Sequence, residues 1–154
     1  MLRDSPVYQS TTEGFRFRVP EGWSQTANSA LPPGDLPRDI FLARYTVQSQ
    51  EGGASLQILA RNDVSTGELT TYSQQPAFGI DDWKVIEPLT TIEIAGESAD
   101  RLMLSGKLQG KTMHKHVTAF HRHGRLYAFV GLYWETDKTV RQQIERAVDS
   151  LVWE

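Results

Sequence analysis

His114 and His116 are the residues of this chain whose type and spacing come nearest to metal chemistry. Residues two apart on an extended strand project from the same face, so both imidazoles could close on one ion. A serious site needs a third ligand. The face they share brings in Arg101, Met103, Thr118 and aromatic residues from the expected neighbouring strands, none of them a good donor. The residues that follow the pair, Val117, Thr118, Ala119 and Phe120, supply no carboxylate. The pair is therefore expected to be ordinary strand histidines. A metal protein built on His114 and His116 is the third-ranked alternative, and no cofactor is expected.

A second group is basic. His121 and His123 flank a hairpin tip beside Arg122 and Arg125, and protonation below about pH 6.5 would make that tip strongly positive. Lys107, Lys111 and Lys115 are expected to join Arg122 and Arg125 in a basic end of the sheet that could meet an acidic partner. The candidate binding residues are thus Lys111, Lys115, Arg122, His123 and Arg125, together with a polar loop over 24–37. Phe120, Tyr127, Phe129 and Tyr133, with Gly131 leaving a gap beside them, could line an apolar pocket, although a second half of the core is the stronger expectation.

Catalytic patterns are missing from the sequence. There is no Gly-x-Ser-x-Gly elbow, Asp81 and Asp82 adjoin in an expected turn where their carboxylates point apart, and the glycines near 52–53 and 106–110 lack the helix start that phosphate cradling needs. The chain is expected not to be an enzyme. Sixteen Lys and Arg against nineteen Asp and Glu give a net charge of -3, which carries no electrostatic footprint for nucleic acid. The absence of cysteine excludes disulfides, thiol catalysis and thiolate metal sites. No run of about eighteen apolar residues could span a membrane. Met1-Leu2-Arg3-Asp4-Ser5-Pro6 is polar and is compatible with a mature domain released from a leader, so a lipid anchor upstream of the given sequence would fit.

The elements that must position these groups are read from periodicity. At 154 residues and 39% hydrophobic content, one domain over 1–154 can bury its own core. Phe15, Phe17 and Val19 alternate with Arg16 and Arg18, a strand that Pro20 ends and Glu21-Gly22 turns, leaving Trp23 to fold back over a sheet edge. Residues 24–37 read as a long surface loop. Alternation over 40–47 and 54–61 predicts a hairpin, and Ser65 with Glu68 makes a capping-box start for a short helix over 65–75. Short strands are expected at 83–86 and 89–94, then three longer ones at 99–105, 112–122 and 125–134.

With His123-Gly124 as a two-residue type I′ loop, Arg122 opposes Arg125, His121 opposes Leu126 and Ala119 opposes Ala128. One face then holds Met113, Val117, Val130, Leu132 and Trp134. The other holds His114, His116, Phe120, Tyr127, Phe129 and Tyr133. Thr136 or Asp137 can cap a closing helix with an apolar stripe of Val140, Ile144, Ala147, Val148 and Leu151, and Arg141 with Glu145 forms an i,i+4 pair on its polar side.

The run Gly14-Phe15-Arg16-Phe17-Arg18-Val19-Pro20-Glu21-Gly22-Trp23, the Ala95-Gly96 turn, the run Gly124-Arg125-Leu126-Tyr127-Ala128-Phe129 and the closing helix together resemble the PsbP-like, Mog-type and DcrB-like superfamily over nearly the full length. The resemblance implies an α+β fold, an antiparallel sheet of about six to seven strands flanked by helices as an α/β/α sandwich. It implies no shared chemistry, since of the members similar in fold one assists photosystem II, one binds the Ran GTPase, and others are bacterial lipoproteins or secretion chaperones. The resulting expectation is a bacterial, lipoprotein-like, extracytoplasmic module that binds a protein partner or small ligand without catalysis. A cytoplasmic secretion chaperone or adaptor of the same fold is the alternative.

Overall fold

The computed structural model describes residues 7–10, 15–19, 22–28, 39–49, 52–62, 74, 80, 82–94, 96–122 and 125–153. Its strands are β1 (Val7–Ser10), β2 (Phe15–Arg18), β3 (Ser24–Asn28), β4 (Asp39–Ser49), β5 (Gly52–Asn62), β6 (Lys84–Ile94), β7 (Glu97–Leu108), β8 (Lys111–Arg122), β9 (Arg125–Trp134) and β10 (Val152–Trp153). The helix α1 spans Lys138–Asp149. Seven strands form an antiparallel sheet in the order β3-β4-β5-β9-β8-β7-β6, and β1, β2 and β10 form a small second sheet.

The counted register of the β8–β9 hairpin is the observed one: Arg122 pairs with Arg125, His121 with Leu126 and Ala119 with Ala128. A two-residue turn with left-handed backbone does occur, at Gln109 and Gly110 (φ 54° and 82°), between β7 and β8. Both faces of the main sheet are buried, as the alternation requires. On one face Phe120, Tyr127, Phe129 and Tyr133 pack with Val140, Ile144, Ala147 and Val148 of the helix. On the other Met113, Val117, Val130 and Leu132 pack beneath Ile80 and Trp83.

The helix-flanked sandwich is corrected. Among the described residues there is one helix, on one face, and the fold is mostly β. The physical reason is that the small sheet covers the rest of that face: Phe15 and Phe17 of β2 meet Phe129 edge-on at 5.8 and 5.5 Å between centroids, and Trp153 of β10 lies 5.5 Å from Phe120. Aromatic side chains on a sheet give the same apolar cover as a helix. The expected helix over 65–75 lies outside the described residues, apart from residue 74.

Three further expectations change. Ser24–Asn28, read as the start of a loop, is the edge strand β3 on β4, its register shifted at a bulge between Gln25 and Ala27. The two strands expected at 83–86 and 89–94 are one strand, β6, whose register shifts on either side of Glu87. Bulges absorb the unpaired residues and let Pro88 sit on a sheet edge. Trp23 is buried, but its indole Nε1 donates to Gln143 Oε1 of α1 at 3.1 Å, so it anchors the helix.

The helix starts where its cap predicts. Asp137 Oδ1 accepts from the Val140 amide at 3.2 Å. At the other end Ser150 Oγ donates to the Ala147 carbonyl at 2.6 Å and accepts the Arg18 amide at 2.7 Å, tying α1 to β2. Its height over the sheet is set by Gly131 in β9. A Cβ built there would stand 2.7 Å from Ile144 Cγ2 and 2.9 Å from Cδ1, so the expected gap beside the aromatics is filled by Ile144. Gly131→Ala should therefore destabilise the fold by about 1–3 kcal/mol through overpacking. Urea unfolding of Gly131→Ala, Ile144→Ala and the double variant should show that the alanine at 131 costs clearly less once Ile144 is truncated; equal costs in both backgrounds would refute the contact.

Candidate functional site

The predicted basic residues do not converge. Lys111 begins β8 and Arg122 ends it, so at about 3.3 Å per residue they lie near opposite ends of a strand over 35 Å long. Lys111 is exposed, its ammonium 5.8 Å from the centroid of the Trp134 ring. Lys115 is buried on the face opposite α1, with its ammonium 4.3 Å from the Trp83 ring centroid, a cation–π geometry. Burial lowers its pKa to about 8. Arg122 and Arg125 face each other across the hairpin in backbone register. His123 lies outside the described residues.

His114 and His116 do share a face, as their spacing requires, and the Nδ1 of each is buried without a hydrogen bond among the described residues. His114 sits at the edge of the core, its Nε2 3.4 Å from Glu135 Oε2 and its ring edge-on to Tyr133. His116 is 3% exposed, and its Nδ1 makes no hydrogen bond among the described residues. No group of three His, Cys, Asp or Glu side chains suited to a metal ion occurs among the described residues.

What the structure assembles instead is a cleft around His116. Met103 of β7, His116 of β8 and Gly131 of β9 form one cross-strand row. Gly131 lets Ile144 descend onto the sheet, and Arg141 and Glu145, three residues before and one after it, are carried to the rim. The bulged strand β6 forms the outer wall with Glu87, Pro88, Thr90 and Ile92, where Thr90 Oγ1 donates to the Pro88 carbonyl at 3.0 Å. Arg101 and Met103 complete the floor of a cavity of about 340 Å³.

The polar groups there are incompletely matched. Arg101 Nε donates to Thr118 Oγ1 at 3.2 Å, while its buried Nη2 makes no hydrogen bond among the described residues and faces Asp149 Oδ1 at 3.6 Å. Arg141 Nε donates to Glu145 Oε1 at 2.9 Å, and Glu87 Oε2 stands 3.9 Å from its Nη2. That hydrogen bond with Glu145 raises the Arg141 pKa. Burial, and then the Arg101 charge, lower the His116 pKa to about 4; Glu145 opposes this and Arg141 adds to it. The imidazole is neutral at physiological pH, with one nitrogen to donate and one to accept. Behind it Tyr133, its phenol pushed up to about 12 by burial, stands 4.0 Å from Met103 Sδ.

A larger hollow of about 520 Å³ lies at the other end of the sheet among Ser24, Thr46, Gln48, Ser55, Leu108 and Met113. Among the described residues no charged side chain lines it, so these offer less to orient a polar ligand than those of the smaller cleft. Sequence reading missed the cleft because Arg101, Arg141 and Glu145 come from elements far apart in the chain. One signal was present: Arg101 alternates with Ala99 and Met103 on an inward face, a charge where an apolar residue is expected.

The unfolded His116 ring titrates near 6.5, and the folded one about 4. Between these values the unfolded chain binds a proton that the folded chain refuses. The stability His116 contributes is complete above pH 6.5 and disappears as pH falls through 4. Relative to His116→Gln, the wild type should lose on the order of 2 kcal/mol across that window, measured by urea midpoints at half-unit pH steps. A difference that stays flat would refute the buried neutral ring.

No protein-family model matches the chain, and no curated protein matches it in sequence. Its likeness is to solved structures. The solution structure of cyanobacterial PsbP, CyanoP, from Synechocystis superposes with a TM-score of 0.70 at 14% identity, over 97% of this chain and 92% of that one. A crystal structure from Bacteroides thetaiotaomicron gives 0.61 at 10% identity over 100% of this chain, which spans 49% of that longer protein. LpqN, involved in cell envelope biogenesis of Mycobacterium tuberculosis, gives 0.59 at 11% identity over 98% of this chain and 93% of its own. Identities this low carry the architecture alone, and that architecture is a PsbP-like fold.

Proposed function

We propose that this chain is a non-catalytic binding module of bacterial, extracytoplasmic type that takes a small ligand in the cleft between β6, β7, β8 and α1. One observation carries the reading. Arg101 Nη2 and His116 Nδ1 are both buried without a hydrogen bond among the described residues, beside a cavity of about 340 Å³. A buried polar group left unsatisfied costs about 1–3 kcal/mol, and two of them beside one hollow mark a place where something else completes the set. The groups present bind and orient. The imidazole is neutral, both arginines are cationic, and the Thr118 hydroxyl accepts from Arg101, so among the described residues of the cleft no activated nucleophile stands beside a base.

The envelope setting is supported by LpqN, whose part in cell envelope biogenesis goes with the same fold. No described helix is long and apolar enough to cross a membrane. A chaperone or adaptor of this fold would hold its client on a wide exposed apolar surface. The large apolar side chains exposed among the described residues are Ile86 and Val152, on separate sheets.

The direct test is an amide-shift titration of the full chain against a panel of neutral, cationic and anionic fragments. At least one class should move Arg101, His116 and Glu145 together and saturably. His116→Phe, which fills the hollow while keeping an aromatic ring on the strand, should abolish that response. A panel that leaves these amides unmoved would overturn the binding reading. Fractionation of the protein expressed from its native locus should place it with the envelope, and recovery in the cytosol would count against the location.

A further inference from the structure

The cleft also has a chemical bias. We infer that its ligand is a small monocarboxylate with a short apolar tail, one carboxylate oxygen accepting from Arg101 Nη2 and the tail lying toward Ile92 and Met103. This rests on the binding reading above and specifies the ligand class for the same site.

The argument starts from Arg101. A guanidinium has five N–H donors in a planar fork that matches a carboxylate. Here Nε is committed to Thr118, while the buried Nη2 makes no hydrogen bond among the described residues and meets a carboxylate oxygen of Asp149 at 3.6 Å, on a side chain 61% exposed that water can take over. Arg141, by contrast, is already held by Glu145 at 2.9 Å, with Glu87 beyond. The cation with capacity to spare is Arg101.

The charge count limits the ligand. Arg101 and Arg141 are offset by Glu87 and Glu145 in the same lining. Asp149 adds a third carboxylate at Arg101, so a single negative charge is accommodated there by taking the place of Asp149, and a dianion would bring a second charge toward Glu87 and Glu145. The wall between is apolar, with Pro88, Ile92 and Met103. At about 30 Å³ per water-sized group, a 340 Å³ hollow holds roughly ten such groups, enough for a short branched acid. Burial is the main cause of the low His116 pKa; Arg101 from β7 and Arg141 from α1 add to it and Glu145 from α1 opposes it, with Glu87 of β6 and Tyr133 of β9 nearby, so the ring lies among charges of both signs.

The test uses the full chain with four probes: butyrate, 4-methylpentanoate, butyramide and inorganic phosphate. Butyrate and 4-methylpentanoate should shift the Arg101 Nε–H and His116 ring signals saturably, the branched acid more tightly. Butyramide should bind at least tenfold more weakly, and phosphate should leave those signals in place. A bound carboxylate adds a negative charge near His116, so saturation with 4-methylpentanoate should raise the ring's apparent pKa, a readout that needs no variant. Arg101→Gln should weaken the acids at least tenfold, and Arg101→Lys, which keeps the charge without the fork, should fall between. Butyramide equal to butyrate, or phosphate as the tighter ligand, would overturn the carboxylate inference and leave the binding module standing. If the fragment panel and all four probes leave the cleft signals unmoved, the module itself falls.

Discussion

The seating of Ile144 on Gly131 is the contact from which the helix, and with it the cleft, takes its position. A side chain at 131 would meet Ile144 at under 3 Å, so the helix can ride this low only over a residue without Cβ. Because 144 faces the sheet, helical geometry places 141 and 145 together on one flank of it, and their charges reach the rim near His116. The cross-strand partner of Gly131 in β8 is His116 itself. One small residue thus sets both the depth of the helix and the roof of the site.

That helix is held from several directions, which is why a single face of sheet can support it. Phe129 is met edge-on by Phe15, Phe17 and Phe120, a cluster joining the small sheet to the main one. Trp23 reaches the polar side of α1 through Gln143, and Ser150 links the end of α1 to β2. The first and last parts of the described chain therefore close on the same helix, and β5 pairs with β9 across the intervening residues. Such long-range pairing costs loop entropy that only a continuous core repays.

Much of this frame was legible as alternation. Period two assigns Phe120, Tyr127, Phe129 and Tyr133 to one face and Met113, Val117, Val130 and Leu132 to the other, and both assignments match the two core clusters. The Asp137 cap and the apolar stripe of α1 were equally plain, because each depends on residues within a turn or two. Short strands were not. Ser24–Asn28 and Val152–Trp153 exist through the partners they pair with, β4 and β2, and carry little period of their own. β6 read as two pieces because the register shifts around Glu87 interrupt its alternation. The cleft was hidden for a different reason. Arg141 and Glu145 read as a surface pair worth a few tenths of a kcal/mol, and only the descent of Ile144 turns their polar side toward the sheet.

Lys115, which is buried, and Arg101, which is partly buried, show why the cleft differs from the rest of the sheet. Lys115 is withdrawn from water on the face under Trp83, where the ring quadrupole meets its charge and burial brings its pKa down to about 8. Its environment offsets the charge or lets it be given up. Arg101 cannot follow, since a guanidinium stays protonated at any pH the fold survives. Its charge is met by Asp149, a largely exposed carboxylate at 3.6 Å. Lys115 is matched by a ring, whereas Arg101 has a long ion pair to an exposed carboxylate beside a hollow, and that is the place where a ligand's carboxylate oxygen would sit.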